Sequence, residues 1–451
     1  MTTLSRRALL ALTGAAGVAG AAHAAHAAPG AAAAASSPAA SRVSSPAAAS
    51  PATTARTAAP PVAAAGHDRG PVRTGFARLA ESGYAALSGR RVGVVTNPTG
   101  ITADGHHIVD VMHADDRVDL VAVFGPEHGF RGTAQAGSSE GPSRDPATGL
   151  PVYDVYGLRG RPLTDVFTAA GVDTVVFDIQ DVGARFYTYI WTLYDCMEAA
   201  ASAGLAVVVL DRPNPVGGRQ ACGPVLEPAY ATFVGRAPIA LCHGMTAGEL
   251  AGLFRAEFLS GGPELDVVRM EGWRRDAFFD GTGLPWVPPS PNMPTPDTAL
   301  VYPGTCLFEA TNLSEGRGTT RPFELLGAEG VDRRWAAAAD ALGLPGVWVR
   351  EAHFTPVFSK FKDRTVGGVR LLVHDREAYD PVLTGIGLLV TARRTWPGFA
   401  WRADRWIDRL TGSDRVRTLI DSGAEPAEVA ADWQPGLARF RAVRARHLLY
   451  P

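Results

Sequence analysis

Leu120-Val121-Ala122-Val123-Phe124-Gly125-Pro126-Glu127-His128-Gly129-Phe130-Arg131-Gly132 decides the fold: five apolar residues, then a sharp turn that carries polar side chains. A short apolar run bounded by turn residues reads as a strand buried on both faces. The unit recurs. Val92-Gly93-Val94-Val95-Thr96 leads into Asn97-Pro98-Thr99-Gly100, and Val175-Val176-Phe177 into Asp178-Ile179-Gln180-Asp181-Val182-Gly183. Ala206-Val207-Val208-Val209-Leu210 leads into Asp211-Arg212-Pro213-Asn214-Pro215. Helical patterns over 107–113, 187–202 and 246–258 alternate with these runs, the last opened by Thr246 and Glu249 at capping-box spacing. Such alternation predicts βαβ units with right-handed crossovers, and so an α/β, Rossmann-like domain with a mainly parallel sheet. Ligands of open parallel sheets bind beyond the carboxyl ends of the strands. Four loops on one rim therefore predict a single polar site.

Outward from this core, the ends differ in kind. Residues 1–28 read as a twin-arginine signal peptide: Ser5-Arg6-Arg7-Ala8-Leu9-Leu10 precedes a weakly apolar stretch, and Ala25-His26-Ala27 offers small residues for cleavage. The expected location is extracellular or at the cell wall, with no membrane span in the mature chain. Residues 29–70 are almost all Ala, Ser, Pro and Thr, too poor in apolar surface to offset the entropy of ordering, and read as a disordered linker. The proline-rich crossing Pro288-Pro289-Ser290-Pro291-Asn292-Met293-Pro294 marks a boundary. It separates a Rossmann-like catalytic domain (71–296) from a smaller α+β domain (297–451), with helices over 332–342 and 381–394 and β-rich runs over 347–354 and 366–373.

The formal net charge is -2, which argues against a nucleic-acid surface. Where a dinucleotide fold carries Gly-x-Gly-x-x-Gly, this chain has Asn97-Pro98-Thr99-Gly100-Ile101, and no phosphate loop follows. No cofactor is expected. His243 and Glu249 match no helical zinc spacing and read as structural, so no metal is expected either. Cys196, Cys222, Cys242 and Cys306 have no metal-type spacing and are compatible both with disulfides of an exported protein and with buried thiols.

Glu127 is the sharpest catalytic candidate. The flanking Gly125-Pro126 and Gly129 force an irregular backbone that lifts it above the sheet edge, where an enclosed carboxyl can serve as general acid. The competing reading is a carboxylate that satisfies loop N–H groups or pairs with Arg131. His128, adjacent and pointing elsewhere, reads as a positioning group. Asp178, Gln180, Asp181, Arg185 and Tyr187 together suit a polyhydroxylated ligand, acids to hydroxyls and rings to sugar faces. An Asp181–Arg185 ion pair and core tyrosines are the alternative. In Asn312-Leu313-Ser314-Glu315-Gly316-Arg317-Gly318-Thr319-Thr320, the Gly-Arg-Gly centre can bring a guanidinium to an anionic ligand, or be solvated.

With these motifs in this order, from about Gly89 almost to the C-terminus, the chain resembles the NamZ exo-β-N-acetylmuramidases, a family long classed as a domain of unknown function. Only the long N-terminal extension departs from the pattern. The resemblance implies a cleft between two domains and release of N-acetylmuramic acid from the non-reducing end of β-1,4-linked peptidoglycan fragments. It places the family's catalytic glutamate on Glu127. The lactyl carboxylate of muramic acid calls for an arginine, with Arg131, Arg185 and Arg317 as candidates. Asp178 or Asp181 is expected as base or as the group that orients the substrate's acetamido oxygen. Asn97, Asn214, Asn292, Glu315 and Thr319 complete the expected substrate contacts. Two other readings remain: a non-catalytic wall-glycan binding protein, and an esterase, which lacks a Gly-x-Ser-x-Gly elbow.

Overall fold

The computed structural model describes residues 70–451; the segments expected to be a signal peptide and, apart from Gly70, a linker lie outside the described residues. The strands are β1 (Arg91–Thr96), β2 (Asp119–Gly125), β3 (Ser143–Arg144), β4 (Pro151–Asp154), β5 (Thr174–Asp178), β6 (Ala206–Leu210), β7 (Cys222–Val225), β8 (Ala240–Cys242), β9 (Leu265–Val268), β10 (Leu325–Ala328), β11 (Val347–Phe354) and β12 (Val366–Val373). A seven-stranded sheet runs in the order β3-β4-β2-β1-β5-β6-β9, parallel throughout except for β3 against β4.

The four apolar runs read from the sequence form its centre: β5 and β6 are buried at every position and β1 at all but its first. Helices Ile108–His113, Tyr189–Ala203 and Ala247–Glu257 follow as expected, and Thr246 with Glu249 forms the capping box. Strand order reverses direction at β1, which lies between β2 and β5. That reversal is the switch point of a doubly wound sheet and opens a crevice beyond the strand ends.

The second half builds a smaller antiparallel sheet, β10-β12-β11, with β11 and β12 where the sequence placed them. Helix Arg333–Asp340 packs on this sheet, and helix Pro381–Thr395 packs on that helix in turn. Four further helices between Trp406 and Arg444 complete the chain. One apolar cluster runs from Val95 through Trp191 and Leu307 to Phe440, so the two halves share buried surface.

Candidate active site

Glu127 stands at the crevice because the loop after β2 is pinned from both sides. His128 adopts φ 70, an unusual left-handed conformation for a residue with a side chain, and its N–H donates to the Ser138 carbonyl at 2.9 Å. Gly129, at φ 85, has no room for a Cβ, which would fall 2.2 Å from the Glu140 side chain. Glu140 in turn accepts from the N–H groups of Arg131 and Thr133. The turn thus has one shape, and Glu127 is held half-buried at its apex.

Its Oε1 accepts from the Gly137 N–H at 2.8 Å and its Oε2 from the Thr188 hydroxyl at 2.5 Å. Three tyrosines surround it. Burial, reinforced by the Glu127 charge, pushes the Tyr156 phenol up to about 12. Tyr187 and Tyr189 are raised too, chiefly by burial and in smaller part by Glu127. Tyr189 donates to the Pro289 carbonyl at 2.5 Å, which ties the loop to the proline-rich crossing.

From Glu127 an aromatic path leads across the site. Tyr187 packs edge-on to Tyr189 (5.2 Å) and to Tyr302 (5.6 Å), and Tyr302 to Phe323 (4.7 Å). The Arg317 guanidinium lies 5.0 Å from the Phe323 ring centre. These groups line one cavity of about 360 Å³, together with His128, Asn292, Phe233, Glu309, Arg402 and Trp406. Both halves of the chain contribute, and aromatic faces beside polar groups suit a sugar ring.

Arg317 donates to Glu309 at 2.6 Å and lies 3.3 Å from Glu315. Burial opposes its charge, but the two carboxylates outweigh that and hold the guanidinium above its ordinary value. Lys360 takes the other oxygen of Glu315 at 3.0 Å. Glu315 is thus a buried brace outside the cavity, while Glu309 lines it. Arg402 is exposed and stacks over Trp406 at 5.3 Å, and among the described residues its side chain is tied only to Asp404, at 2.7 Å. His128 Nδ1 faces the Ala134 carbonyl at 2.8 Å, so that nitrogen carries a proton and donates to it.

Several residues expected at the site from sequence are instead parts of the scaffold. Asp178 is fully buried in an ion pair with Arg212; burial raises its carboxyl, and Arg212 opposes the rise. Asp181 accepts from the Gly183 N–H at 2.7 Å and faces His243 at 3.2 Å. Neither aspartate lines the cavity with Glu127. Arg185 is wholly buried, and its guanidinium donates to the carbonyls of Pro224 (2.9 Å), Ile239 (3.0 Å) and Leu410 (2.7 Å). It clamps chain segments and forms no pair with Asp181. Arg131 pairs with the buried Asp145 beneath the loop.

Asn97 accepts from Thr99, Gln180 donates to the Asp181 and Pro213 carbonyls, and Asn214 donates to the Met245 carbonyl. Each shapes a turn. Thr319 folds back onto the Gly316 carbonyl at 2.6 Å. Short polar side chains next to Gly and Pro satisfy local backbone as readily as they bind ligands, which is why the sequence did not separate the two roles.

Tyr156, Glu309, Arg402 and Trp406 were not expected. Glu309 had a signal: a lone acid inside the apolar stretch Cys306–Ala310. Arg402 and Trp406 lie in a segment dense in aromatics, Trp396 to Trp406.

Comparison with known proteins decides the family. Two consecutive family profiles match, "Exo-beta-N-acetylmuramidase NamZ, N-terminal" over residues 92–297 and its C-terminal counterpart over 300–450. The chain belongs to the NamZ exo-β-N-acetylmuramidase family. It is 45% identical over 381 residues to the peptidoglycan β-N-acetylmuramidase NamZ of Bacillus subtilis, covering 84% of this chain and 91% of that protein. Two crystal structures of DUF1343 family proteins from Bacteroides fragilis are similar. One has a TM-score of 0.79 at 34% identity and covers 85% of this chain and all of its own. The other has 0.67 at 28% identity, covering 84% and 99%.

Proposed function

We propose that this protein is an exo-acting glycoside hydrolase that releases N-acetylmuramic acid from the non-reducing end of peptidoglycan-derived glycans, with Glu127 as its general acid. The observation that carries the site assignment is the position of Glu127. It is half-buried at the switch-point crevice, in one aromatic-lined cavity with a second carboxylate and two guanidiniums. A glycan-binding module has no need of a carboxyl pair, whereas glycosidases work with two.

In the protonated form Glu127 gives its proton to the glycosidic oxygen as the C1–O bond breaks, and the leaving sugar departs as an alcohol. The Thr188 hydroxyl, which donates to the carboxylate, can turn to accept from the acid, so both states keep a partner. Since Asp178 and Asp181 lie outside the cavity, Glu309 takes the second role. It accepts the proton of the water whose oxygen adds to C1, or orients the acetamido group that attacks first. Arg317 fixes Glu309 in place through their ion pair.

Recognition of the lactyl carboxylate falls to Arg402. Arg317 is already engaged by two carboxylates, whereas the exposed Arg402 side chain pairs, among the described residues, with Asp404 alone and has donors to spare. Tyr187 and Tyr302 offer rings to the sugar face. The twin-arginine segment supports placement outside the cytoplasm, where such fragments arise.

The test uses two disaccharides of opposite order. Free muramic acid should appear from the β-1,4 disaccharide with muramic acid at its non-reducing end, and not from the one with it at the reducing end. Saturable binding of both with no new reducing sugar would refute the reading and favour a binding protein.

A further inference from the structure

Strands β7 and β8 place Cys222 directly opposite Cys242 in antiparallel register. Residues so opposed project from the same face, with Cα atoms roughly 4.5–5.5 Å apart. A disulfide spans roughly 4.4–6.8 Å between Cα atoms, so no backbone movement is required. Both line a second cavity of about 350 Å³, bounded by Arg219, Asp276 and Arg376, through which a reagent can approach. Cys196 and Cys306 are buried and line none of it.

The pair stands at the base of a hairpin whose far end belongs to the active-site cavity. Thr232 and Gly235 exchange backbone hydrogen bonds of 2.8 and 3.2 Å, closing a turn with Phe233 and Val234 at its tip. Both tip residues line the Glu127 cavity, and Phe233 lies 5.9 Å from Trp406. The Arg185 clamp on Pro224 and Ile239 acts on this same hairpin.

We propose that Cys222 and Cys242 form a cross-strand disulfide when the protein meets a disulfide-bearing oxidant, and that this bond staples the hairpin forming one wall of the substrate cavity. The Cys222 sulfur, as thiolate, attacks the oxidant's disulfide and releases its first thiol. Cys242 then gives up its proton and attacks the mixed disulfide, releasing the second. Two cysteine thiols lose two protons and two electrons, and the oxidant's S–S bond becomes two thiols. The neighbouring Cys242 thiol, together with burial, raises the Cys222 thiol well above its ordinary range, so exchange in the folded protein is slow and calls for hours of incubation.

The experiment incubates the purified full chain with oxidised glutathione, quenches free thiols and maps tryptic peptides without reduction. The expected product is peptide 220–236 linked to peptide 237–255, lost on reduction, with two thiols remaining per chain. Closing a loop of roughly 20 residues should also raise the melting temperature by a few degrees. Native trypsin cleavage at Arg236, inside the loop, should slow several-fold. Four titratable thiols after oxidation, or a glutathione adduct on Cys222 alone, would overturn the disulfide. A linked pair with unchanged cleavage at Arg236 would overturn the staple.

Discussion

Replacing Arg185 by methionine separates a structural guanidinium from a substrate-reading one. The side chain makes three hydrogen bonds to carbonyls, and bonds to a charged group contribute roughly 1.5–3 kcal/mol each, so about 7 kcal/mol is lost in all. Against that stands the cost of burying the charge. Burial lowers the Arg185 guanidinium from 12.5 to about 9, which corresponds to roughly 5 kcal/mol that methionine relieves. Leu226 keeps the Ile239 carbonyl bonded, but Pro224 and Leu410 each lose this donor, adding a further roughly 1 kcal/mol or more. The net expectation is a loss of about 3 kcal/mol. A folded body of nearly four hundred residues changes its melting temperature by roughly 1 °C per kcal/mol, so calorimetry should record a fall of about 3–4 °C. Activity on a chromogenic muramide and on the matching N-acetylglucosaminide should fall together, since the hairpin walls the cavity for both. An unchanged melting temperature with a loss confined to the muramide would refute this reasoning and return Arg185 to the lactyl group.

Arg402→Ala should cost muramide turnover about 10- to 100-fold in kcat/KM and leave the glucosaminide within about threefold, the value of one charge-assisted contact; equal losses would move the lactyl contact elsewhere. Glu309→Gln keeps the shape of the Arg317 partner but removes its charge, and should lower kcat by at least about 100-fold; near-normal kcat would remove Glu309 from the mechanism. Asp211 is buried among Thr246, Gly248 and Tyr450, and burial raises its carboxyl from 3.8 to about 6. The folded state then holds more protons than the unfolded between pH 4 and 6. Its contribution is fully present below pH 4 and is lost as pH rises through 6, a total of roughly 3 kcal/mol. Asp211→Asn should flatten the melting-temperature profile across that window, and a profile as steep as the parent's would contradict the assignment.

The central sheet was legible because strands buried on both faces must be continuous apolar runs, and Val92 to Thr96 or Ala206 to Leu210 cannot be much else. The edges were not. β4 has one buried residue in four and β9 has none, so neither carries a period that a sequence reading can find. The candidate site divides in the same way. Glu127 was legible from the Gly-Pro-Glu-His-Gly turn, whose backbone leaves the side chain one place to go. Asp178 and Arg185 misled because a buried ion pair and a buried clamp use the residue types of a sugar site. Pairing partners such as Arg212 and the Leu410 carbonyl are set by the fold, and Leu410 lies far along the chain from Arg185. Glu309 and Arg402 reach the cavity only through the packing of the second half against the first.

The most direct measurement is the turnover of Glu127→Gln on a β-1,4 muramyl disaccharide, beside calorimetry and a binding titration of the same variant. With the acid gone but its two hydrogen-bond partners still served, the melting temperature and disaccharide affinity should hold while release of muramic acid ceases. Continued release from a properly folded variant would mean that the proton comes from another group, and that the cavity beyond β2 has been misread.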